Sequence, residues 1–408
     1  MNAVTEAALS LPASEARVGR ISTRAIYYAF VLWMPIETID FFQVRGDSKV
    51  LTASRLLGLL LFLSALIEWR QCFRKIPAGF WMIAWYIAAY SASQLWVSNR
   101  LDAVFLNKQV ILIYSAVLFL ISANLLEDAE FRGSVLRFYG WWVSLVALGM
   151  MLGVFGDVYL EVEGRRSILG QDPNVAAGFF ASGAVCLAGD PGLFESKRFL
   201  ARCAAALLAI SALITAIIQT GSRGGLMVVV AGIAGLAVCG GKATRVRRTM
   251  IAAAALGAVA ALIFREFYQG TIAAGRMMDT WLEGDTAGRT AIYETAWAMF
   301  RERPMLGYGG ANNFHTLGVN MHHPYGNIYY RDTHNLLLAV LTEVGLVGAI
   351  PFVAAILWAL RKAWRYGGRT GDAMPFALMC AQVAMNTSLT GSNQNLFWIV
   401  LAAASACG

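Results

Sequence analysis

Residues 331–350 read RDTHNLLLAVLTEVGLVGAI, and the change from polar to apolar residues at Asn335 decides how the chain is organised. On the amino-terminal side lies a polar segment, 266–334, which separates two strongly apolar parts of the chain. This segment contains all 4 histidines: His315, His322, His323 and His334. We predict that it forms a loop that carries the functional groups, while the apolar remainder is a frame that presents the loop.

The composition excludes several classes of protein. Of 408 residues, 58% are hydrophobic and 14% are charged, whereas charged residues make up about 25% of a soluble protein. The net charge of +8 comes mainly from short connections between apolar runs, and no basic stripe with interleaved aromatic residues suggests nucleic acid. The 6 cysteines lie in or beside apolar runs and form no CxxC pair, which argues against a disulfide framework and a cysteine-held metal.

The apolar runs predict the fold class. A transmembrane helix needs about 20 mostly apolar residues. Twelve segments come close to this length: 25–43, 50–68, 79–98, 104–123, 137–156, 173–189, 199–219, 223–240, 249–265, 335–358, 373–390 and 391–406. We therefore predict an all-α polytopic membrane protein with about 12 transmembrane helices. The last two segments are separated by a short polar stretch and could instead form one re-entrant element.

The distribution of lysine and arginine predicts the orientation. With the amino terminus in the cytoplasm, most of these residues lie in the tail and in the cytoplasmic connections, as the positive-inside rule requires. No small-residue cleavage site follows a short apolar core, so the first span is expected to be retained. The predicted organisation is a cytoplasmic tail at 1–24, nine spans within 25–265, a loop outside the cytoplasm at 266–334, and three spans within 335–408.

Inside the loop, apolar residues repeat at helical spacing from Thr286 to Glu302 and predict a helix on the membrane surface. Pro304 is expected to end this helix, and Leu306–Gly310 (LGYGG) predicts a tight turn.

Charged residues within the predicted spans lie toward the outer half of the membrane. They include Lys108, Arg223, Arg265 and Glu343. Such residues are costly in a membrane, so each is a functional candidate, and together they suggest a polar cavity open to the outer side. A long side chain such as that of Lys108 can alternatively reach the headgroups without any function. For Arg223 the functional interpretation is stronger, because neighbouring glycines permit close approach of a ligand to the backbone at a helix start.

Several motifs occur in a characteristic order between about residues 160 and 360. They are Arg165-Arg166, Asp172-Pro173-Asn174, Thr220-Gly-Ser-Arg-Gly-Gly225, Arg289 with Trp297 and Pro304-x-x-Gly307-Tyr-Gly309, His334-Asn335-x-x-Leu338, and Glu343-x-Gly345-x-x-Gly348. In this order and spacing the chain resembles the O-antigen ligase/polymerase superfamily of bacterial membrane glycosyltransferases.

The resemblance implies a GT-C-like fold with one long periplasmic loop, in the bacterial inner membrane. It implies transfer of a glycan from undecaprenyl diphosphate to the lipid A-core oligosaccharide, without a metal and with inversion, in lipopolysaccharide biosynthesis. Membrane lipids are further expected partners, and nucleic acid is not. The single large outer loop favours a ligase over an O-antigen polymerase or a protein O-oligosaccharyltransferase of the same superfamily. A transporter or flippase for a lipid-linked or anionic solute is the alternative from another class.

The resemblance also assigns roles to residues. Arg223 and Arg289 are expected to bind the diphosphate, because the guanidinium fork matches phosphate, and His334 to act as general base. The expected substrate-binding residues are Arg166, Arg265, Asn335 and Ser222. Asp332 or Thr333 is expected to cap the helix after His334, whose dipole would keep the imidazole neutral. We expect no cofactor and no metal, since the outer loop has no acidic DxD-type motif.

Overall fold

The computed structural model describes residues 22–36, 53–97, 102–154, 156–158, 165–168, 172–190, 199–239, 257, 288–325, 328–391 and 394–408. The helices in this part of the chain are α1 (Thr23–Trp33), α2 (Ala53–Ile67), α3 (Trp69–Cys72), α4 (Ala78–Ala92), α5 (Asp102–Leu125), α6 (Ala129–Met151), α7 (Pro173–Gly189), α8 (Phe199–Gln219), α9 (Arg223–Val238), α10 (Arg289–Glu302), α11 (Asn312–Asn320), α12 (Leu336–Thr370), α13 (Met374–Met385) and α14 (Asn395–Ala406). Two short antiparallel hairpins accompany them: β1 (Gly156–Val158) with β2 (Arg166–Ile168), and β3 (Pro324–Tyr325) with β4 (Ile328–Tyr329).

The helices agree with an all-α multi-pass membrane protein. Among the described residues, 4 helices are long and apolar enough to cross a membrane, namely those at 103–125, 129–151, 201–219 and 336–370. Shorter apolar helices fall on five further predicted spans. The predicted span at 249–265 lies outside the described residues, apart from position 257. The number of twelve spans therefore stays a prediction.

Several predicted spans have different limits in the structure. The predicted span 137–156 is a helix that begins eight residues earlier, at Ala129, because Asp128 caps it by accepting hydrogen bonds from Glu130 and Phe131. The last two predicted spans are separate helices of 12 residues each, α13 and α14. Each is shorter than the roughly 20 residues that cross a bilayer.

Helix α7 lies at the centre of the bundle. Nearly all of its side chains are buried, as expected for a helix that is apolar on every side. It packs against α6, α8, α9 and α13. The start of α9 comes very close to it, since a Cβ atom at Gly225 would lie 2.7 Å from the Cβ atom of Ala177. Small residues at this crossing, as is common between membrane helices, bring the amino-terminal ends of α7 and α9 together.

Helix α12 is broken at Gly345, whose φ of 57° and ψ of −161° are not helical. The connection after α10, which includes the predicted turn Leu306–Gly310, packs into this break. Four backbone hydrogen bonds join the two segments: Tyr308 N–H to the Thr342 carbonyl (2.8 Å), Gly309 N–H to Glu343 (2.9 Å), Leu346 N–H to Pro304 (2.8 Å) and Val347 N–H to Met305 (3.2 Å). They satisfy backbone groups that a broken helix would otherwise leave unpaired in an apolar environment.

Close approach explains the glycine at the break. A Cβ atom at Gly345 would lie 2.3 Å from the carbonyl carbon of Met305, and the backbone conformation itself strongly favours glycine. Six residues later, Pro351 cannot donate to the carbonyl of Val347, and the Trp85 indole of α4 donates to that carbonyl instead, at 3.1 Å. Helix α12 is thus held by its neighbours at the two places where its own hydrogen bonds are interrupted.

Candidate active site

The turn before α9 orients Arg223. Gly221 adopts a φ of 62°, and the Ser222 hydroxyl accepts a hydrogen bond from Gly225 N–H at 3.2 Å, so Ser222 is the amino-terminal cap of the helix. The same hydroxyl donates to the Asn174 side-chain oxygen at 3.0 Å, at the start of α7. Ser222 therefore has a structural role in this turn. Arg223 follows as the first residue of α9 and is half-buried.

Arg165 supports this turn, although the sequence favoured its neighbour Arg166. The buried Arg165 donates from Nε to the Thr220 carbonyl at 2.7 Å and from Nη2 to the Asn174 side-chain oxygen at 3.0 Å. Arg166 is exposed, and its Nη1 donates to the Met151 carbonyl at 3.5 Å. The structure thus ties Arg165 to the Arg223 turn, and Arg166 contacts the end of α6.

His334 lies just before α12 and adopts a φ of 48°, which is uncommon for a residue with a side chain. The prediction that Asp332 or Thr333 caps α12 was wrong, because the Asn335 side chain accepts from Leu338 N–H at 3.0 Å and is the cap. Asp332 instead accepts from His334 N–H at 3.1 Å and fixes the bend. His334 is therefore held outside the helix, with its backbone tied to a carboxylate.

The environment of His334 favours its neutral form. Burial lowers the pKa of the His334 imidazole, and this effect outweighs the Asp332 carboxylate, which raises it. Arg289 and Arg331 lower the same pKa further, while Asp172 raises it. Burial is the largest of these effects. A neutral imidazole can accept a proton at neutral pH.

Arg289 begins α10 and is half-buried. One turn later, the Tyr293 hydroxyl contacts the His334 carbonyl at 3.3 Å and the Thr387 carbonyl at 3.0 Å. Burial raises the pKa of Tyr293, so its hydroxyl keeps its proton for these contacts. The helix predicted over 286–302 is confirmed from Arg289 onward, and Tyr293 fixes it beside His334.

The segment between α13 and α14 connects these parts. The Leu336 N–H donates to the Asn386 carbonyl at 2.9 Å, and the Asn335 amide donates to the Thr387 carbonyl at 3.3 Å. On its other side, a Cβ atom at Gly224 would lie 2.6 Å from the Ser388 hydroxyl oxygen. The segment therefore lies between the start of α9 and the start of α12. The one sequence signal for this segment is the short polar stretch between the last two apolar runs.

Four helix starts thus meet in one region, those of α7, α9, α10 and α12. The amino-terminal end of a helix carries a partial positive charge and free N–H groups, which favour an anion. Arg223, Arg289 and His334 lie at or next to three of these starts. Arg265 lies outside the described residues. Among the residues that the structure describes, no group of three or more histidine, cysteine, aspartate or glutamate residues could hold a metal ion.

Arg331 is a further residue of this region that was not predicted from the sequence. It lies close enough to His334 to lower the pKa of the imidazole. Its Nη1 atom is 3.0 Å from Nε2 of His323, and its backbone N–H donates to the Phe314 carbonyl at 3.0 Å. These contacts anchor Arg331 to α11 and to the neighbouring loop, so it adds a third cation to the region.

The charges predicted within spans ten and four form an ion pair. Lys108 Nζ lies 2.5 Å from Glu343 Oε1, and the Tyr86 hydroxyl donates to Glu343 Oε2 at 2.9 Å. Both partners are buried, and Lys108 also lies over the Phe314 ring, 4.8 Å from its centroid. Lys108 therefore does not reach the headgroups, and the pair does not face an open cavity. It joins α4, α5 and α12 in the interior.

Apolar helices around a region of convergent helix starts and cations define a multi-pass membrane protein with a positively charged site. The family model described as O-Antigen ligase matches residues 205–353. This match supports the resemblance of the chain to the O-antigen ligase/polymerase superfamily, whose members are membrane glycosyltransferase-like enzymes. The matched part contains Ser222, Arg223, Arg265, Arg289, His334 and Asn335. No curated protein matches the chain.

Proposed function

We propose that this protein is an O-antigen ligase of the bacterial inner membrane. It transfers a glycan from undecaprenyl diphosphate to the lipid A-core oligosaccharide at the periplasmic face. The observation that supports this proposal is that Arg223, Arg289 and His334 each lie at or next to one of the converging helix starts, within the family match. A donor with a diphosphate leaving group needs cations, and an acceptor hydroxyl needs a base.

In the proposed reaction the acceptor hydroxyl oxygen bonds to the anomeric carbon as the bond from that carbon to the phosphate oxygen breaks. The electron pair of the broken bond stays on the diphosphate, where Arg223 and Arg289 stabilise the new charge. His334 takes the proton of the acceptor hydroxyl, which its lowered pKa permits at neutral pH. Attack opposite the leaving group inverts the anomeric centre. Arginines and helix starts serve in place of a metal.

The position of the site relative to basic residues supports the periplasmic orientation. His334 lies at the start of α12, whereas Arg361 and Lys362 lie near the end of the same helix. Arg74 and Lys75 approach that second end, because Lys75 and Lys362 line one cavity. Positive residues favour the cytoplasm, so the end with His334 faces the periplasm.

Purified protein should be incubated with a lipid-diphosphate glycan and lipid A-core, and the products separated by gel electrophoresis and mass spectrometry. The ligase predicts a glycan on lipid A-core and release of undecaprenyl diphosphate. Elongated lipid-linked glycan, formed with or without lipid A-core, would show a polymerase instead. Donor that disappears from one leaflet of a liposome without covalent product would show a transporter. The His334→Gln variant serves as the control for transfer by the proposed site.

A further inference from the structure

A cavity of about 520 Å³ lies at the far end of the bundle from His334. Its walls come from the start of α4, the ends of α5 and α14, and the last third of α12. The polar and aromatic residues that line it are Lys75, Asn124, Glu127, Trp358, Lys362 and Ser405. None of them belongs to the site described above.

The cavity has a positive balance of charge. Lys75 Nζ and Arg74 Nη2 each lie 2.5 Å from an oxygen of Glu127, so one carboxylate is shared by two cations. Lys362 Nζ donates to the Ser405 carbonyl at 2.8 Å and lies 4.9 Å from the centroid of the Trp358 ring. No carboxylate of the described residues pairs with Lys362. The hydrogen-bond partner of Lys362 is therefore a neutral carbonyl and not a carboxylate.

Two further hydrogen-bond donors belong to residues that line the same space. The Ser405 side chain is 1% exposed, and its hydroxyl has no hydrogen-bond partner among the described residues. A buried hydroxyl without a partner costs free energy, so a ligand that accepts from it is favoured. Ala78 also lines the cavity as the first residue of α4, and the cap residue Pro77 offers no side-chain acceptor to the first N–H groups of that helix. Such N–H groups favour a phosphate.

We propose that this cavity binds the phosphate-bearing headgroup of an anionic phospholipid. A phosphate has the charge and the acceptor oxygens to match Lys362, the Ser405 hydroxyl and the start of α4. The cavity lies where apolar helices end, which is the depth of lipid headgroups, and Trp358 is of the type that lies at that depth. Basic pockets between transmembrane helices bind acidic headgroups in this way. The proposal does not depend on the reaction proposed for the other end of the molecule.

The test uses the full chain purified in a neutral detergent. Phosphatidylglycerol, phosphatidylcholine or inorganic phosphate is added, and both thermal stability and lipid retained in native mass spectrometry are measured. Phosphatidylglycerol should raise the Tm and remain bound, whereas phosphatidylcholine should do neither. Lys362→Gln loses one charge-assisted hydrogen bond. Its affinity for phosphatidylglycerol should therefore fall at least about tenfold.

Arg361→Gln is the matched control, because Arg361 is exposed at the adjacent position and does not line the cavity. It should retain wild-type binding. Ser405→Ala keeps all charges, should fold normally and should weaken binding several-fold. Equal stabilisation by both lipids, or unchanged binding in Lys362→Gln and Ser405→Ala, would refute the site. Stabilisation by inorganic phosphate alone at equal concentration would refute the lipid assignment.

Discussion

The buried ion pair of Lys108 and Glu343 allows a quantitative prediction about stability. The side chain of Glu343 is fully buried and that of Lys108 is 9% exposed. Removing one partner of a buried pair leaves the other charge without compensation and costs about 3–5 kcal/mol. We therefore expect Lys108→Met and Glu343→Leu each to lower the free energy of unfolding by about that amount.

The double variant Lys108→Met/Glu343→Leu should be less destabilised than either single variant. Replacing both charges with apolar residues of similar volume removes the uncompensated charge, and such replacements are often neutral or better. What remains is the Tyr86 hydroxyl, which loses its acceptor, at a cost of about 1–3 kcal/mol. Adding Tyr86→Phe to the double variant should recover much of this loss.

The assay is unfolding by SDS in mixed micelles, followed by tryptophan fluorescence, for the wild type and the four variants. Two independent effects of about 3–5 kcal/mol would add to roughly 6–10 kcal/mol in the double variant. A double variant that loses the sum of the two single effects would refute the pairing. Lys75→Met is a suitable control, because Lys75 is exposed and its contact with Glu127 should contribute about 1 kcal/mol or less.

Four further predictions concern the proposed reaction. Arg223→Lys and Arg289→Lys should each lower transfer about 10²-fold, because an ammonium group cannot replace the guanidinium fork. His334→Gln should insert into the membrane and bind donor normally, but its transfer rate should fall about 10²–10⁴-fold. The wild-type rate should fall only when the pH drops below the lowered pKa of His334, because the imidazole acts as a base in its neutral form. Asp332→Asn should move this acidic limb to lower pH, since the carboxylate raises that pKa. Transfer should continue in EDTA.

The controls for these predictions come from the same region. Arg166→Lys should be close to wild type, since Arg166 is exposed and its guanidinium donates to the Met151 carbonyl at the end of α6. Lysine variants of Arg223 and Arg289 that remain within a few-fold of wild type would exclude them from the site. An active, well-folded His334→Gln enzyme would end its role as base. Activity lost in EDTA and restored by Mg²⁺ or Mn²⁺ would overturn the metal-independent reaction.

Much of the frame was predictable because apolar length and caps are local signals. The start of the apolar run that forms α12 and the end of α10 before Pro304 follow from residues within a few positions, although the cap of α12 was predicted wrongly. Contacts between distant segments were not predictable in this way. The sequence shows Arg165 and Arg166 as equivalent, and only packing against Thr220 and Asn174 distinguishes them.

The break of α12 at Gly345 was not predictable from the sequence either. A single glycine inside an apolar run is compatible with a continuous helix, and the prediction of a span at 335–358 treated it so. The partners that make the break possible are residues about forty positions earlier, in the turn that the glycines of Leu306–Gly310 did predict. Similarly, the pairing of Lys108 with Glu343 depends on how α5 packs beside α12, which periodicity does not specify.

The hydrogen bonds between the turn and the broken helix limit how this protein can be recombined with its relatives. Consider a chimaera that exchanges the outer loop alone, with a junction near His334. In it, residues 304–309 would come from one parent and residues 342–347 from the other, so the backbone hydrogen bonds between them would have to form across two different sequences. Both halves of this contact must come from the same parent. The smallest unit that can be exchanged therefore runs from before α10 to beyond Val347, and so includes part of a membrane helix.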